Sequence, residues 1–365
     1  MKKTIAMGMA VLTALTLGAC GGRNSGNAPA ETAAKAAGES TGAAASESTA
    51  AAADPSGAGS VVTIKLGHVE AEDRSTHQAL LECFKKDVEE KSNGQIQVDI
   101  HPNGALGGDT ELTESVAMGT LEAALPSTSV LVTYSDDFGI MDIPWLFHDS
   151  QAAFDAMDGD MGVYFNQKLD DVGIKCLGYS YNGLRSMTNS ARPIASPEDL
   201  KGLKMRVMEN QVYIDFFNTL GASATPMSFN ELYTGLQQHT VDGQENPPSL
   251  IYASKFQEVQ KYLSLTEHTH NFLAFIFNKK FYDGLTADQQ KILSDAAQHF
   301  VTEQRKMELA DTQTFVDKLK SEGVEVNALT GEQKDAFKTA LEPMYTKYRD
   351  VFGKDLFEMA EKYNK

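Results

Sequence analysis

Between Leu203 and Met208 the chain alternates. Leu203, Met205 and Val207 share one face, while Lys204, Arg206 and Met208 share the other, which predicts a short strand. Ser196, followed by Pro197 and Asp199, is a helix-start signal just before it. After it, Val212, Tyr213, Phe216, Phe217 and Leu220 recur at helical spacing and stop at Gly221. Ser228 with Glu231 predicts a capping box that opens a second helix over 231–238. Asp242-Gly243 turns the chain, and Gln244-Glu245-Asn246 is expected on a loop made rigid by Pro247 and Pro248. The pattern therefore sets one arginine on the non-core face of a strand and returns a polar tripeptide towards it.

The same reading along the rest of the chain gives a strand over 61–66, a helix over 76–91 stopped by Ser92-Asn93-Gly94, and a strand over 95–100. A glycine-rich loop over 102–109 leads into a helix over 111–118; it lacks the glycine spacing and the Lys-Ser/Thr pair of a phosphate-cradling loop. A further apolar strand is expected over 121–125. This order argues for a mainly parallel sheet, with ligands at the carboxyl ends of the strands. Glu70, Asp109 and Thr128 all fall just past predicted strands. Strands are also predicted over 174–179 and over 272–278, the second a continuous apolar run long enough to be shared by two lobes. Thr286 caps a helix whose apolar positions continue to about residue 321. Amphipathic helices fill the remainder, 330–365.

Composition narrows the picture. With 42% hydrophobic and 22% charged residues, the 365-residue chain is that of a globular protein, long enough for two domains. A net charge of −18 excludes a nucleic-acid footprint. It also opposes long-range attraction of an anion, so an anionic ligand needs local arginines. Lys2 and Lys3 precede an apolar run over 5–19, too short for a membrane span of about 20 residues. Leu17-Gly18-Ala19-Cys20 resembles a lipobox, so residues 1–20 are expected to be a lipoprotein signal with lipid on Cys20; an ordinary secretory signal is the alternative. Residues 21–60, almost wholly Ala, Gly, Ser, Thr and Glu, are expected to be a flexible tether. Cys83 and Cys176 fit as small buried apolar residues, although an oxidising compartment permits a disulfide. His268 and His270 offer two imidazoles on one strand face without a third ligand, a weak zinc signal; strand polarity or a pocket hydrogen bond accounts for them as well. No nucleophile-base or zinc-protease motif is found.

The stretches LKGLKMRV, VYIDFFNTLGA, TPMSFNELYTGLQQ, VDGQENP and ASKFQEVQKYLSLTEH, in this order, resemble the substrate-binding subunits of tripartite ATP-independent periplasmic (TRAP) transporters, of the C4-dicarboxylate-binding type. The resemblance implies an α/β, two-lobed periplasmic-binding-protein-like fold, with a ligand cleft between the lobes and a long helix spanning both. Lobe I would comprise 61–183 plus 272–311, and lobe II 184–271 plus 312–365. It implies a lipid-anchored solute-binding protein, not an enzyme and without a cofactor or metal. Such a protein acts as a monomer at the outer face of the cytoplasmic membrane or in the periplasm. It would capture a small organic carboxylate, a C4-dicarboxylate or a sugar acid, and hand it to the membrane subunits. Arg206 would take the carboxylate in a bidentate fork. Arg185 and Asn246 would add donors, and Phe229 and Trp145 apolar walls. Selectivity would lie with Glu70, Asp109, Thr128 and His270. Arg185 reads equally as a surface cation, and Trp145, beside Pro144 and Phe147, reads from its neighbours as core. A secreted enzyme acting on organic acids and a metal-capturing lipoprotein are the competing readings.

Overall fold

Nine strands form one mixed sheet in the order β2-β1-β3-β8-β4-β7-β5-β6, with β9 beside β8. The structure is a computed structural model that describes residues 61–364; Cys20, the expected signal and the expected tether lie outside the described residues. The strands are β1 (Val62–Gly67), β2 (Ile96–His101), β3 (Ala123–Ala124), β4 (Ile174–Asn189), β5 (Lys204–Val207), β6 (Ser223–Pro226), β7 (Gly243–Asn246), β8 (Tyr262–Asn278) and β9 (Glu325–Ala328).

The sheet is parallel in its two flanks and antiparallel in its middle. β1 pairs in parallel with β2 and β3, and β5 with β6 and β7, as the alternating strands and helices lead one to expect. Between these flanks run β4 and β8, antiparallel along their whole length. Both are far longer than their apolar runs predict. The predicted strand over 174–179 continues to Asn189, and the one over 272–278 begins at Tyr262. Their polar halves are stabilised by partners distant in sequence, so hydrophobic periodicity does not register them. Register shifts interrupt the pair at Cys176/Tyr179, Tyr181/Gly183 and Arg185/Met187, and such bulges re-aim the side chains beside them.

One expectation is corrected outright. Gln244-Glu245-Asn246 is not a loop but most of β7, paired with β4 (Ser186 to Asn246, Met187 to Glu245) and with β5 (Met205 to Gly243). Three consecutive polar residues have no apolar alternation, and they form a strand because each is buried and hydrogen-bonded inside the sheet.

The helix over Ala287–Ser321 is 35 residues long, about 52 Å at 1.5 Å per residue. Thr286 and Gln289 close the expected capping box. Leu293, Ala296, Phe300 and Val301 pack on the core around β1, β2 and β3, whereas Leu319 belongs to the core around Leu232, Leu236 and Leu263. The helix thus joins two separate hydrophobic cores. The expected cap at Ser228 differs: the helix Phe229–Gln237 starts beside it, but its side chain makes no capping hydrogen bond among the described residues. The hydroxyl lies instead against Gly108, where a methyl group would come within 2.6 Å of it. Cys83 and Cys176 are buried, unpaired with each other, in two different cores.

Candidate functional site

β5 presents Met205 and Val207 to the core and Arg206 to the opposite face. That face is not solvent. Arg206 is 2% exposed, because β5 lies inside the sheet and the loop before the helix Phe229–Gln237 folds over it. Its Nε donates to the Met227 carbonyl at 2.9 Å, and its Nη1 has no hydrogen-bond partner among the described residues. Burial and then the neighbouring Arg185 lower its pKa to about 10. A buried guanidinium nitrogen with nothing to donate to is costly, and a ligand oxygen is the partner it fits.

Arg185, on β4, is also buried, but it is saturated. Its Nε and Nη2 donate to both carboxylate oxygens of Glu245, with Nη2 to Oε1 at 2.7 Å, and Nη2 also reaches the Glu245 carbonyl at 2.6 Å. Its remaining Nη1 lies 3.4 Å from Asn271 Oδ1, and the guanidinium rests over the Tyr213 ring. Burial works against its charge, yet Glu245 more than compensates and its pKa is raised. Glu245 is pushed up by burial and brought below the usual carboxylate range chiefly by Arg185. His268 Nε2 joins the same carboxylate at 3.2 Å and holds Thr266 through Nδ1 at 2.8 Å. The reading of Arg185 as a surface cation is thereby excluded.

Asp109 opens the helix Asp109–Met118, and its Oδ1 accepts from the Ser127 amide at 3.3 Å. Burial, reinforced by the charge of Glu70, raises its pKa to about 7, while Arg206 and Arg185 act in the opposite sense. Glu70 is 1% exposed; one oxygen accepts from Arg74 Nε at 2.6 Å, and the other has no partner among the described residues. Arg74 continues to Asn182 at 2.8 Å, to Glu308 of the long helix at 3.3 Å and to Ser249.

The described structure thus brings Arg206, Asp109 and Phe229 around one small cavity, together with Thr110, Val130, Met208, Glu209, Met227 and Ser228. Its volume is about 10 Å³, no more than one water needs. The cleft is shut: Thr110 donates to Glu209 across it at 2.7 Å, and Asn230 reaches the Gly104 carbonyl at 3.4 Å. Asn246 is buried on β7 with its amide on Gln244. Thr128 is buried beside Ser127 and donates to the Phe272 carbonyl at 3.3 Å.

Arg185, Asn246, Glu70 and Thr128 are buried but do not line this small cavity, and neither do Trp145 and His270. Trp145 lines a separate cavity of about 420 Å³ with Lys338, Tyr345 and Phe357, its ring 6.3 Å from that of Phe337. His270 is bonded to the Tyr181 hydroxyl at 2.8 Å and stacked on that ring, and burial lowers its pKa to about 4. Among the described residues no group of three or more His, Cys, Asp or Glu side chains is placed to hold a metal ion.

Sequence reasoning missed Glu245 as a partner of Arg185, the Met227 carbonyl and the Thr110–Glu209 contact. The one available signal was that a buried arginine requires a carboxylate, and Glu245 stands in a stretch already singled out. Its pairing across 60 residues has no local trace.

Comparison with known proteins covers most of the chain. The sequence profile described as bacterial extracellular solute-binding protein, family 7, matches residues 66–350. The 2,3-diketo-L-gulonate-binding periplasmic protein YiaO of Escherichia coli K12 is 34% identical over 82% of this chain and 89% of its own length. The C4-dicarboxylate-binding protein DctB of Bacillus subtilis is 32% identical over 82% of this chain and 86% of its own. A TRAP periplasmic solute-binding protein from Polaromonas sp. JS666, solved bound to D-erythronate, superimposes with a TM-score of 0.79 at 36% identity, over 82% of this chain and 98% of its own. The architecture is the two-lobed one of these binding proteins.

Proposed function

The chain belongs to family 7 of the bacterial extracellular solute-binding proteins, and from that premise we propose that it captures one small organic carboxylate in the cleft beside Arg206. The family is a binding component of transport, not an enzyme. The observation that carries the reading is the unpartnered Nη1 of the buried Arg206 beside a small cavity. A planar carboxylate satisfies that nitrogen in a charge-assisted bond, a geometry a lysine cannot reproduce. The relatives are named for, or solved with, C4-dicarboxylates and sugar acids, and both classes meet this requirement.

Arg185 is not a free donor, because Glu245 occupies its fork and the pair holds β4 and β7 together behind the cleft. Phe229 and Val130 give the cleft apolar wall. Residues 61–183 plus 272–311 and 184–271 plus 312–365 are the two lobes, and ligand binding favours their closure because it supplies the buried arginine with its anion. The protein acts as a monomer anchored by lipid on Cys20, and it delivers the ligand to the membrane subunits of a TRAP transporter. Among the described residues no helix is long and apolar enough to cross a membrane.

A thermal-shift screen of organic acids, paired with native mass spectrometry of any ligand retained on purification, tests the capture. Binding of a carboxylate at a hundred times its Kd raises stability by about 2.7 kcal/mol, an easily read shift. No shift with any organic acid at millimolar concentration removes the proposal. Intact mass of the membrane-extracted protein tests the anchor. Diacylglyceryl lipid on Cys20 is expected, and an unlipidated amino terminus elsewhere eliminates it.

A further inference from the structure

We propose a second binding site, apart from the cleft beside Arg206, in the cavity lined by Trp145. It fits a small anionic amphiphile, with one acid group on a flat, ring-sized apolar body. The two cavities share no lining residue, so this site is independent of the capture proposed at Arg206.

The cavity has a built frame. At about 420 Å³ it lies within the range of about 300–1,000 Å³ that small-molecule sites occupy. One wall is the segment 143–148, and the other comes from the two carboxyl-terminal helices, Gly331–Ala340 and Glu342–Glu361. Hydrogen bonds lock these walls together. The Tyr345 hydroxyl donates to the Pro144 carbonyl at 3.3 Å. The Asn364 side chain donates to the Leu146 carbonyl at 2.7 Å and accepts from the His148 amide at 3.0 Å. Trp145 itself has φ of +53°, a left-handed backbone that a bulky residue rarely adopts, and its amide donates to the His268 carbonyl at 2.7 Å. Strain of this kind persists only where the surroundings impose it, and it gathers at ligand sites.

Apolar surface and positive charge meet in this cavity. Trp145, Tyr345 and Phe357 supply aromatic wall, and the indole Nε1 is buried with no hydrogen-bond partner among the described residues. Lys338 and Arg349 complete the lining, 46% and 62% exposed. Each has an acid near it, but Asp335 at 3.6 Å and Glu361 at 3.7 Å stand beyond hydrogen-bond reach, so both cations keep donors for a ligand. The Arg349 guanidinium lies 5.3 Å from the centre of the Phe357 ring, which sets a donor beside apolar wall. Two cations and one acid, Glu361, thus line the cavity of a chain whose net charge is −18. Aromatic walls by themselves also suit a ligand ammonium, but Lys338 and Arg349 repel one. A neutral ring uses the wall alone, and a small polar acid uses only exposed charges, which contribute little. An acid with an apolar body uses both.

Fluorescence of Trp145 reads this site directly, because the chain has one tryptophan. The probe is phenylacetate, with acetate, phenethyl alcohol and phenethylamine as comparisons. A saturable change is expected with phenylacetate, roughly tenfold or more tighter than with acetate, which has no ring to bury. Phenylacetate is also expected to bind roughly threefold or more tighter than phenethyl alcohol, and phenethylamine most weakly of the three ring compounds. Lys338→Gln combined with Arg349→Gln changes exposed positions only. The double variant is expected to weaken phenylacetate roughly twofold to fivefold per cation and to leave phenethyl alcohol unchanged. Arg206→Ala separates the two cavities, and that variant, its fold confirmed by circular dichroism, is expected to keep the phenylacetate response. Loss of the response there would place the acid in the cleft and overturn the second site, whatever becomes of the capture at Arg206. A non-saturating change in the wild type, equal binding of phenylacetate and phenethyl alcohol, or an unchanged phenylacetate affinity in the double variant likewise overturns it.

Discussion

At the residue scale, substitutions at Arg206 distinguish a fork from a point charge. Arg206→Lys keeps the charge but loses the planar pair of donors, and Arg206→Ala loses both. Removing one partner of a buried charge pair costs about 2–5 kcal/mol of affinity, so Arg206→Ala is expected to weaken carboxylate binding by roughly thirty-fold to several-thousand-fold. Arg206→Lys should fall between. Titration calorimetry with the tightest acid reads both, and a folded alanine variant within a few-fold of wild type removes Arg206 as the anchor. Glu245 is the contrasting case, since its work is done inside the protein. Glu245→Gln leaves Arg185 buried without its carboxylate, and breaking such a pair destabilises by about 3–5 kcal/mol. Urea denaturation should show that loss before any ligand is added. An unchanged midpoint would mean that Arg185 finds other partners.

The element that decides the geometry is the antiparallel pair β4–β8, which carries Arg185, Asn182 and Asn271 between the two flanks of the sheet. Its weak points are its bulges, and Gly183 sits in one of them. Gly183 has φ of +129°, and a methyl group there would lie 2.6 Å from Pro247 Cβ. Gly183→Ala is therefore strained in backbone and in space at once, and it presses on the residue that follows Asn246. The expected loss of stability exceeds about 1 kcal/mol, measured as a lower urea midpoint. A midpoint equal to wild type would show that the pair absorbs a side chain here. The long helix crosses the same region. Its Gln304 bridges Tyr181 of β4 at 2.8 Å and Ser75 at 3.1 Å, and its Glu308 accepts from Ser75 at 2.6 Å. A helix read in the sequence as an apolar stripe is thus also a carrier of buried polar groups at its midpoint.

For the whole molecule, the buried titratable groups set a pH dependence. Burial lowers His68 to about 3 and His270 to about 4, and it also lowers His77 and His268. These imidazoles are neutral in the fold, whereas the unfolded chain takes up protons below about 6.5. Their contribution to stability is therefore full above 6.5 and is lost as pH falls below it, towards the folded values. Asp109 and Asp142, raised by burial to about 7, act in the opposite sense, because the fold holds their protons where the unfolded chain has released them. Below about pH 6.5 His68 and His270 offset Asp109 and Asp142 proton for proton, so His77 and His268, also lowered, tip the balance. Each net proton changes stability by about 1.4 kcal/mol per pH unit, so the urea midpoint is expected to be lower at pH 5.0 than at pH 6.5. A midpoint that rises on acidification would place the aspartates in control.

Some of this was decided by the sequence alone. The alternation over 203–208 put Arg206 opposite Met205 and Val207, and Thr286 with its apolar stripe set the long helix, because strand and helix periods and end caps are local properties. The family words identified the chain as a solute-binding protein for the same reason: they are continuous runs of residues. The lengths of β4 and β8, the strand at Gln244-Glu245-Asn246, and the places of Trp145 and His270 were decided only in three dimensions. Each rests on polar groups that leave water for partners far away in the chain. Arg185 is buried because Glu245, 60 residues on, receives it. Arg74 is buried because Glu308, 234 residues on, does the same. Desolvating a charge is affordable only when its partner is already placed, and placement is a property of the assembled sheet, so no stretch of sequence read by itself contains it.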